Sequence, residues 1–287
     1  MASLREIKER IASVRSTRKI TSAMKMVAAA KLHRAQRNIG ALVPYAEELG
    51  HITSHLVGGE GVPSIPLATP REVGKVTVVG FASNGTLCGA YNGNVVRRTV
   101  KAVGEWRGEG AEVDVRAVGE QLAKGVRREG VTCVDGYEEL SDRPTYEMAA
   151  DMAQRFMDDY LAGRTDRVEL VYYKFLSAGT QNLVCETLLP VEVGGGEGRG
   201  AVGTEYILEP GREELIATII PRRITLKLYT AALSASASEH AARMIAMQLA
   251  TDNADKLIGE LALEYNKQRQ QAITTELLDI MGGQNRQ

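Results

Sequence analysis

Cysteine and histidine are the residues of this sequence that could support nucleophilic or metal chemistry. Cys88 follows a glycine-rich turn and could act as a nucleophile near a helix N-terminus, but no histidine lies within thirty residues of it. A distant histidine could still fold against it, yet a small buried thiol is the favoured interpretation. His51 and His55 have the spacing of a zinc-binding helix, but Ile52 stands where such helices carry glutamate and no third ligand is nearby. We interpret them as exposed helix histidines.

The turn at residues 80–93 follows an apolar segment, as do the phosphate-binding turns of nucleotide-binding folds. It lacks the Gly-x-Gly-x-x-Gly pattern, and Gly74-Lys75 is followed by Val76, so no P-loop is present. A structural connection between a strand and a helix is favoured over nucleotide binding.

Four carboxylates cluster at Glu147, Asp151, Asp158 and Asp159. Their spacing places them on the outer face of an amphipathic helix, where carboxylates are usually solvated. No nucleophile, base and orienting group are found together. The sequence therefore predicts a chain without catalytic residues, cofactor or metal site.

The two ends of the chain must be long helices. Residues 1–39 contain no glycine, proline or aromatic residue, and residues 222–281 contain no proline and one glycine. Apolar residues recur at three- and four-residue steps, which is the period of a coiled coil. The predicted seam uses, in the first helix, Leu4, Ile7, Ile11, Val14, Ile20, Met24, Val27, Leu32, Ala35, Ile39 and Leu42, with phase slips between blocks. In the last helix it uses Met244, Met247, Thr251, Ala254, Ile258, Leu261, Tyr265, Gln268, Ala272 and Thr275.

The middle of the chain alternates between strand and helix patterns, which predicts a Rossmann-like doubly wound α/β domain. Predicted strands cover residues 75–81, 113–118, 131–134, 168–175 and 182–189, and predicted helices cover 94–103, 121–127 and 145–161. The expected domains are an N-terminal coiled-coil helix at 1–57, an α/β domain at 75–210 and a C-terminal coiled-coil helix at 212–284. The small residues at 228–238 predict weak packing where the last helix leaves the domain.

Charge is distributed unevenly although the net charge is −1. Residues 1–40 hold ten basic and two acidic residues, and no acid occurs between Glu9 and Glu47. Such asymmetry marks a surface matched to a partner. A nucleic-acid arm is a weaker alternative because the helix has no aromatic residue before Tyr45. A mitochondrial transit peptide is also weaker, because the apolar steps continue without a cleavage-like break into Leu42. A helix that moves against acidic surfaces is favoured.

Three cysteines without a C-x-x-C pair predict reduced thiols and a cytosolic setting. No apolar run reaches the roughly 18 residues of a membrane span, so the chain is expected not to cross a bilayer.

The residues at both ends closely resemble the gamma subunit of F-type ATP synthase. The resemblance is carried by residues 11–31 at one end, residues 238–254 and 265–277 at the other, and the turn Leu87-Cys-Gly-Ala-Tyr-Asn92. It spans nearly the whole chain in the family's order.

This resemblance implies a non-catalytic rotor of the proton-translocating enzyme, which couples rotation of the membrane c-ring to the catalytic sites on beta during ATP synthesis or hydrolysis. The implied partners are the alpha and beta subunits of the catalytic hexamer, the epsilon subunit and the c-ring, with no nucleic acid. The implied location is peripheral, on the cytoplasmic face of the bacterial plasma membrane. By motif, the residues facing beta would be Met24, Lys25, Arg243, Gln270, Thr274 and Glu276, and the tip turning in an apolar sleeve would be Leu277, Leu278, Ile280 and Met281.

Two features depart from the family pattern. The cysteine pair inserted in chloroplast relatives is absent, and Ser83-Asn-Gly-Thr86 replaces a common Asp-Arg-Gly sequence. Two other functions stay open at this point. One is a nucleotide-dependent α/β enzyme with helical appendages, and the other is a coiled-coil adaptor or nucleic-acid arm.

Overall fold

The chain divides into two compact units. The computed structural model describes residues 3–57, 64–134, 136–192, 208–209 and 211–284. A helix-pair unit comprises Met1–Ala29 and Arg243–Gln287, and an α/β unit comprises Ala30–Ala242. The two long helices, α1 (Leu4–Val57) and α6 (Arg212–Gln284), each contribute residues to both units.

The α/β unit is built on a four-stranded mixed sheet in the order β2-β1-β3-β4. β1 pairs in parallel with β2 and β3, and β3 pairs antiparallel with β4. This arrangement confirms the predicted α/β class. The elements are β1 (Lys75–Phe81), α2 (Tyr91–Gly108), β2 (Glu112–Val118), α3 (Glu120–Arg128), α4 (Glu138–Asp142), α5 (Tyr146–Leu161), β3 (Arg167–Phe175) and β4 (Gln181–Leu189), with a 3₁₀ turn at Pro66–Ala68.

Helices cover both faces of the sheet, as expected for a doubly wound unit. Alternate residues of β1 divide between the two cores, because successive side chains of a strand point to opposite faces. Val76 and Val78 pack in the core that contains residues of α2 and α3. Val79 and Phe81 pack in the core that contains residues of α5 and α6.

The strand predicted at 131–134 is wrong. Only Val134 forms a bridge, to Arg116 of β2, through two backbone hydrogen bonds of 2.9 Å. Val131 is buried in the core beside α3 without strand pairing. A short apolar run can be buried in a core either as a strand or as a loop, so the apolar pattern alone did not specify backbone pairing.

The helix-pair unit is an antiparallel coiled coil whose seam contains both small residues and large apolar ones. Its buried positions include Thr21 and Ala28 on α1 and Thr251 and Ala254 on α6. Ile20 and Val27, which were predicted to lie in the seam, are each 58% exposed. Thr275 is also exposed. At these two α1 positions the seam passes instead through the neighbouring residues Thr21 and Ala28, whereas Ile7 is 1% exposed, as predicted for a seam residue.

Three polar pairs link α1 to α6 within this unit. Arg18 forms an ion pair with Asp255, the hydroxyls of Thr21 and Thr251 lie 2.8 Å apart, and Lys25 Nζ donates to Gln248 Oε1 at 2.7 Å. Residue numbers rise along α1 while they fall along α6, which establishes the antiparallel direction. We call these three contacts the polar ladder.

Candidate functional site

The crevice at the carboxyl ends of the central strands is where doubly wound folds bind nucleotides. Here the buried stretch 231–241 of α6 lies in this region. Tyr91 Oη donates to the Ala235 carbonyl at 3.0 Å, and the backbone N–H of Phe175 at the end of β3 donates to Ser234 Oγ at 2.8 Å. Ser238 Oγ donates to the Tyr173 carbonyl at 3.2 Å. The crevice is thus occupied by the chain's own helix.

The space left in this region does not admit a ligand. The gap lined by Phe81, Tyr91, Ser141 and Ala235 is too small to hold a water molecule. The weak packing predicted for residues 228–238 is therefore wrong, because the small side chains let α6 lie directly against the strand ends.

The turn after β1 satisfies its own polar groups. Asn92 Oδ1 accepts hydrogen bonds from the backbone N–H and the hydroxyl of Ser83, both at 3.0 Å. Asn92 Nδ2 donates to Gly85 O at 3.0 Å and to Cys88 Sγ at 3.2 Å. Cys88 is 2% exposed, which confirms the interpretation as a buried thiol. The turn is a structural connection rather than a phosphate cradle.

Cys185 has no nucleophilic character. Burial, with Glu169 adjacent, raises its pKa to about 12, so the group stays a neutral thiol at physiological pH. Its Sγ lies 3.3 Å from Glu169 Oε2, which also accepts from Trp106 Nε1 at 3.0 Å. Arg167 Nε donates to the other oxygen of Glu169 at 2.9 Å. This buried carboxylate is fully partnered and has a structural role.

The other groups singled out by type also lack a catalytic arrangement. Glu147, Asp151 and Asp158 are exposed on α5, and His51 is exposed on α1, as predicted. Asp159 and His55 are half-buried rather than exposed. Within the described ranges, no group of three or more His, Cys, Asp or Glu side chains could hold a metal ion.

A search for membrane spans gives no candidate. Among the helices in the described part of the chain, none combines the length and apolar character needed to cross a bilayer.

We expect the isolated chain to bind no ATP in the micromolar range, since α6 fills the crevice and the turn after β1 has neither a P-loop nor a Gly-x-Gly-x-x-Gly pattern. Isothermal calorimetry with MgATP and the full-length chain measures this, with a nucleotide-binding protein as positive control. Saturable micromolar binding of MgATP would contradict the conclusion that α6 leaves no room for a nucleotide in the crevice.

The outer surface of the helix-pair unit is rich in apolar side chains that have no partner in the seam. Ile20, Met26 and Val27 of α1 are more than half exposed. On α6, Leu249 and Leu263 are also largely exposed. Exposed apolar residues that recur on several faces of one short helix pair indicate an interaction surface.

The residues predicted to contact a partner divide between half-buried and exposed positions. Met24, Lys25 and Arg243 are half-buried in the helix-pair unit. Further along α6 the side chains are exposed, at Gln270, Thr274, Glu276, Leu277 and Leu278. Ile280 and Met281 lie in α6, but their side chains are outside the described residues.

Gln248 accepts a hydrogen bond from Lys25 and was not among the predicted contact residues. Gln248 Nε2 in turn donates to Asp252 Oδ1 at 2.7 Å, so the Lys25 ammonium ends a short hydrogen-bonded chain on α6. The spacing of Gln248 and Asp252 by four residues is the only sequence signal for this pair.

Comparisons with known proteins agree over the full length. The sequence model of the ATP synthase family matches residues 3–285. The gamma chain of Bacteroides thetaiotaomicron is 47% identical over 299 residues, covering 99% of both chains. The gamma chain of Geotalea uraniireducens is 39% identical over 285 residues, covering 99% of this chain and 98% of the other.

Solved structures show the same fold at lower identity. The rotor of the Euglena gracilis mitochondrial ATP synthase matches with a TM-score of 0.65 at 18% identity, covering 94% of this chain and 98% of that chain. A chain of the Tetrahymena thermophila central stalk and c-ring structure matches with a TM-score of 0.58 at 23% identity, covering 80% of this chain and 99% of that chain. The family match, the extent of the identity and the shared fold agree, and the chain belongs to the gamma-chain family of ATP synthases.

Proposed function

We propose that the chain is the non-catalytic central-stalk rotor of a proton-translocating F-type ATP synthase. It couples rotation of the membrane c-ring to conformational changes at the beta-subunit catalytic sites during ATP synthesis or hydrolysis. One observation carries this proposal: the helix pair leaves several large apolar side chains exposed outside its own seam, together with basic side chains of α1.

The apolar surface supports a partner that encloses the helix pair. Met26 lies on the opposite side of α1 from the buried Thr21 and Ala28, whereas Ile20 and Val27 flank the seam. On α6, Leu249 lies opposite the buried Met247 and Thr251. A partner on one side would cover only some of these residues. The ring of alpha and beta subunits that surrounds the shaft in this family would cover all of them.

The charge of α1 supports an acidic partner. From Arg15 to Arg37 the helix carries seven basic residues and no acid. Asp255 pairs with Arg18, and Gln248 accepts from Lys25, but Lys19, Lys31 and Arg34 are exposed. Attraction between these cations and the acidic lever loops of beta would be moderate at exposed positions, which suits contacts that form and break once per turn.

The same proposal gives roles to the residues carried over by motif. Met24, Lys25, Arg243, Gln270, Thr274 and Glu276 would face the lever and catch loops of beta, and Leu277, Leu278, Ile280 and Met281 would form the tip in its apolar sleeve. The α/β unit would contact the c-ring and the epsilon subunit. In a bacterium this places the chain peripherally on the cytoplasmic face of the plasma membrane.

The filled crevice supports the non-catalytic assignment. A nucleotide-dependent enzyme would need the strand ends that α6 covers, and a nucleic-acid arm would be expected to combine its charge with aromatic residues, of which α1 has none before Tyr45. ATP would be made or hydrolysed on beta, and this chain would transmit the rotation.

Reversing the charge of Lys25 tests the proposed contact with beta. We expect Lys25→Glu to lower proton pumping per ATP hydrolysed by roughly two- to fivefold, since it sets like charges against each other across a partly exposed contact. Lys25→Ala loses the hydrogen bond to Gln248 and the proposed contact but adds no like charge, so it should remain near wild type. Proton pumping and ATPase rate are measured on the same membranes.

A second substitution separates partner effects from internal ones. Lys25→Glu combined with Gln248→Lys restores a charged pair between α1 and α6, because these two side chains are hydrogen-bonded in the structure. We expect the loss of coupling to persist in the double variant. Recovery of coupling in the double variant would show that Lys25 acts within the helix pair. Equal coupling in all variants would show that Lys25 does not face an acidic partner.

A further inference from the structure

The polar ladder of the helix-pair unit has a feature that stability alone does not require. At its centre, the side chains of Thr21 and Thr251 are each 9% exposed, with their hydroxyls 2.8 Å apart. The surrounding seam positions, Ala28, Met247 and Ala254, are apolar. Burying two hydroxyls where valine would fit gains little stability, whereas one buried polar pair in a coiled coil is well suited to fixing alignment.

The hydrogen-bond count shows how the two hydroxyls depend on each other. Thr21 Oγ1 lies 3.1 Å from the Arg18 carbonyl, and Thr251 Oγ1 lies 2.8 Å from the Met247 carbonyl. Two hydroxyl hydrogens serve three short contacts, so one hydroxyl donates to its own helix and the other donates across the seam. The cross-helix bond forms only when the two threonines are opposite each other.

The flanking contacts strengthen the same alignment. Arg18 with Asp255 and Lys25 with Gln248 lie one turn to either side of the threonine pair. Shifting α6 by two turns against α1 would separate all three pairs at once. The apolar seam positions nearest the threonine pair, Ala28, Met247 and Ala254, offer no comparable preference, because alanine and methionine pack acceptably against many neighbours.

We infer that the buried Thr21–Thr251 hydroxyl pair, supported by the two flanking polar contacts, is the register lock of the helix pair. Thr21 and Thr251 are therefore positioning residues: they decide which α6 side chains stand beside Lys25 and the outward apolar residues of α1. The inference goes beyond the rotor function and does not depend on it, since register is a property of the chain itself.

Cysteine cross-linking in the full-length chain reads the register directly. Following the ladder one turn further, Val14 and Ile258 fall opposite each other, whereas Tyr265 lies two turns beyond Ile258. Val14→Cys with Ile258→Cys reports the observed register, and Val14→Cys with Tyr265→Cys reports a register shifted by two turns. The parent chain with only its native cysteines is the background control.

With the polar ladder intact, we expect the Val14→Cys, Ile258→Cys pair to cross-link far more than the Val14→Cys, Tyr265→Cys pair. Thr21→Val with Thr251→Val should lower the ratio of observed to shifted cross-link about tenfold while changing the melting temperature little, because replacing both hydroxyls leaves no unpaired polar group. Thr21→Ser with Thr251→Ser should keep the wild-type ratio, since the hydroxyls remain.

An unchanged ratio in the doubly apolar variant would overturn the inference and leave the threonines as ordinary seam residues. If that variant does not fold, the same ratio is measured for Thr21→Val alone, where an unchanged value has the same meaning. A fall in the ratio of observed to shifted cross-link in the serine variant would also overturn the inference, because packing of the threonine methyl groups, rather than the hydroxyl pair, would then set the register.

Discussion

Replacing Val27 by aspartate is expected to leave the isolated chain folded and to weaken its assembly with alpha and beta subunits by roughly 30-fold or more. Val27 is 58% exposed, so the substitution removes little internal packing. If a partner encloses this surface, the new carboxylate must lose water without gaining a partner. A buried unpaired charge at an interface costs about 2–5 kcal/mol, which corresponds to this loss of affinity.

Two further variants make the result specific. Leu249→Asp, at a side chain 59% exposed on α6, should weaken assembly similarly, because the proposed partner surrounds both helices. Leu161→Asp is the matched control, since Leu161 is 55% exposed but lies at the end of α5 in the α/β unit. Assembly is titrated with purified subunits, and melting temperatures are compared for the free chains. Equal assembly of all three variants and the wild type would contradict enclosure of the helix pair.

Gly119→Ala is expected to destabilise the α/β unit by roughly 3–5 kcal/mol, through combined backbone strain and overpacking. Gly119 connects β2 to α3 with φ of +98°, a conformation that residues with a Cβ rarely adopt. A Cβ at this position would lie 2.1 Å from the carbonyl oxygen of Ala82, directly after β1. Because that contact is with backbone, the turn itself would have to move.

Gly104→Ala provides the comparison within the same unit. Gly104 lies inside α2, and a Cβ there would meet no atom within 4 Å. The control should be stabilised by roughly 0.5–1 kcal/mol, since alanine is favoured over glycine inside a helix. Denaturant unfolding followed by circular dichroism gives both values. Similar stabilities for the two variants would mean that the approach of Gly119 to Ala82 is not a constraint in solution.

The filled crevice gives the small-residue stretch of α6 a clear physical meaning. Because most residues at 231–238 are alanine or serine, the α6 backbone can lie close to the strand ends, where other doubly wound folds bind a nucleotide. The hydroxyls of Ser234 and Ser238 then satisfy backbone groups at the end of β3. A fold well suited to binding a cofactor is thereby used to hold a helix.

Much of this architecture could be predicted from sequence because it depends on local pattern. The absence of glycine and proline from residues 1–39 specifies a long helix wherever that segment lies in space. Alternating strand and helix periods specify an α/β sheet, since each period determines which face is buried. The excess of basic residues on α1 follows from composition alone, and the long end motifs were enough to indicate the family.

Tertiary structure decided what no single segment contains. Ile20 and Val27 are strongly apolar, and periodicity placed them in the seam, yet the seam passes through Thr21 and Ala28. Which α1 residues face α6 at these positions depends on how closely α6 can approach, and α6 is more than two hundred residues away in sequence. The small side chains of Thr21 and Ala28 allow the closer contact. The same long-range packing buries the stretch at 231–241 and leaves Val131 outside any strand, because burial and pairing depend on which surface arrives opposite a residue.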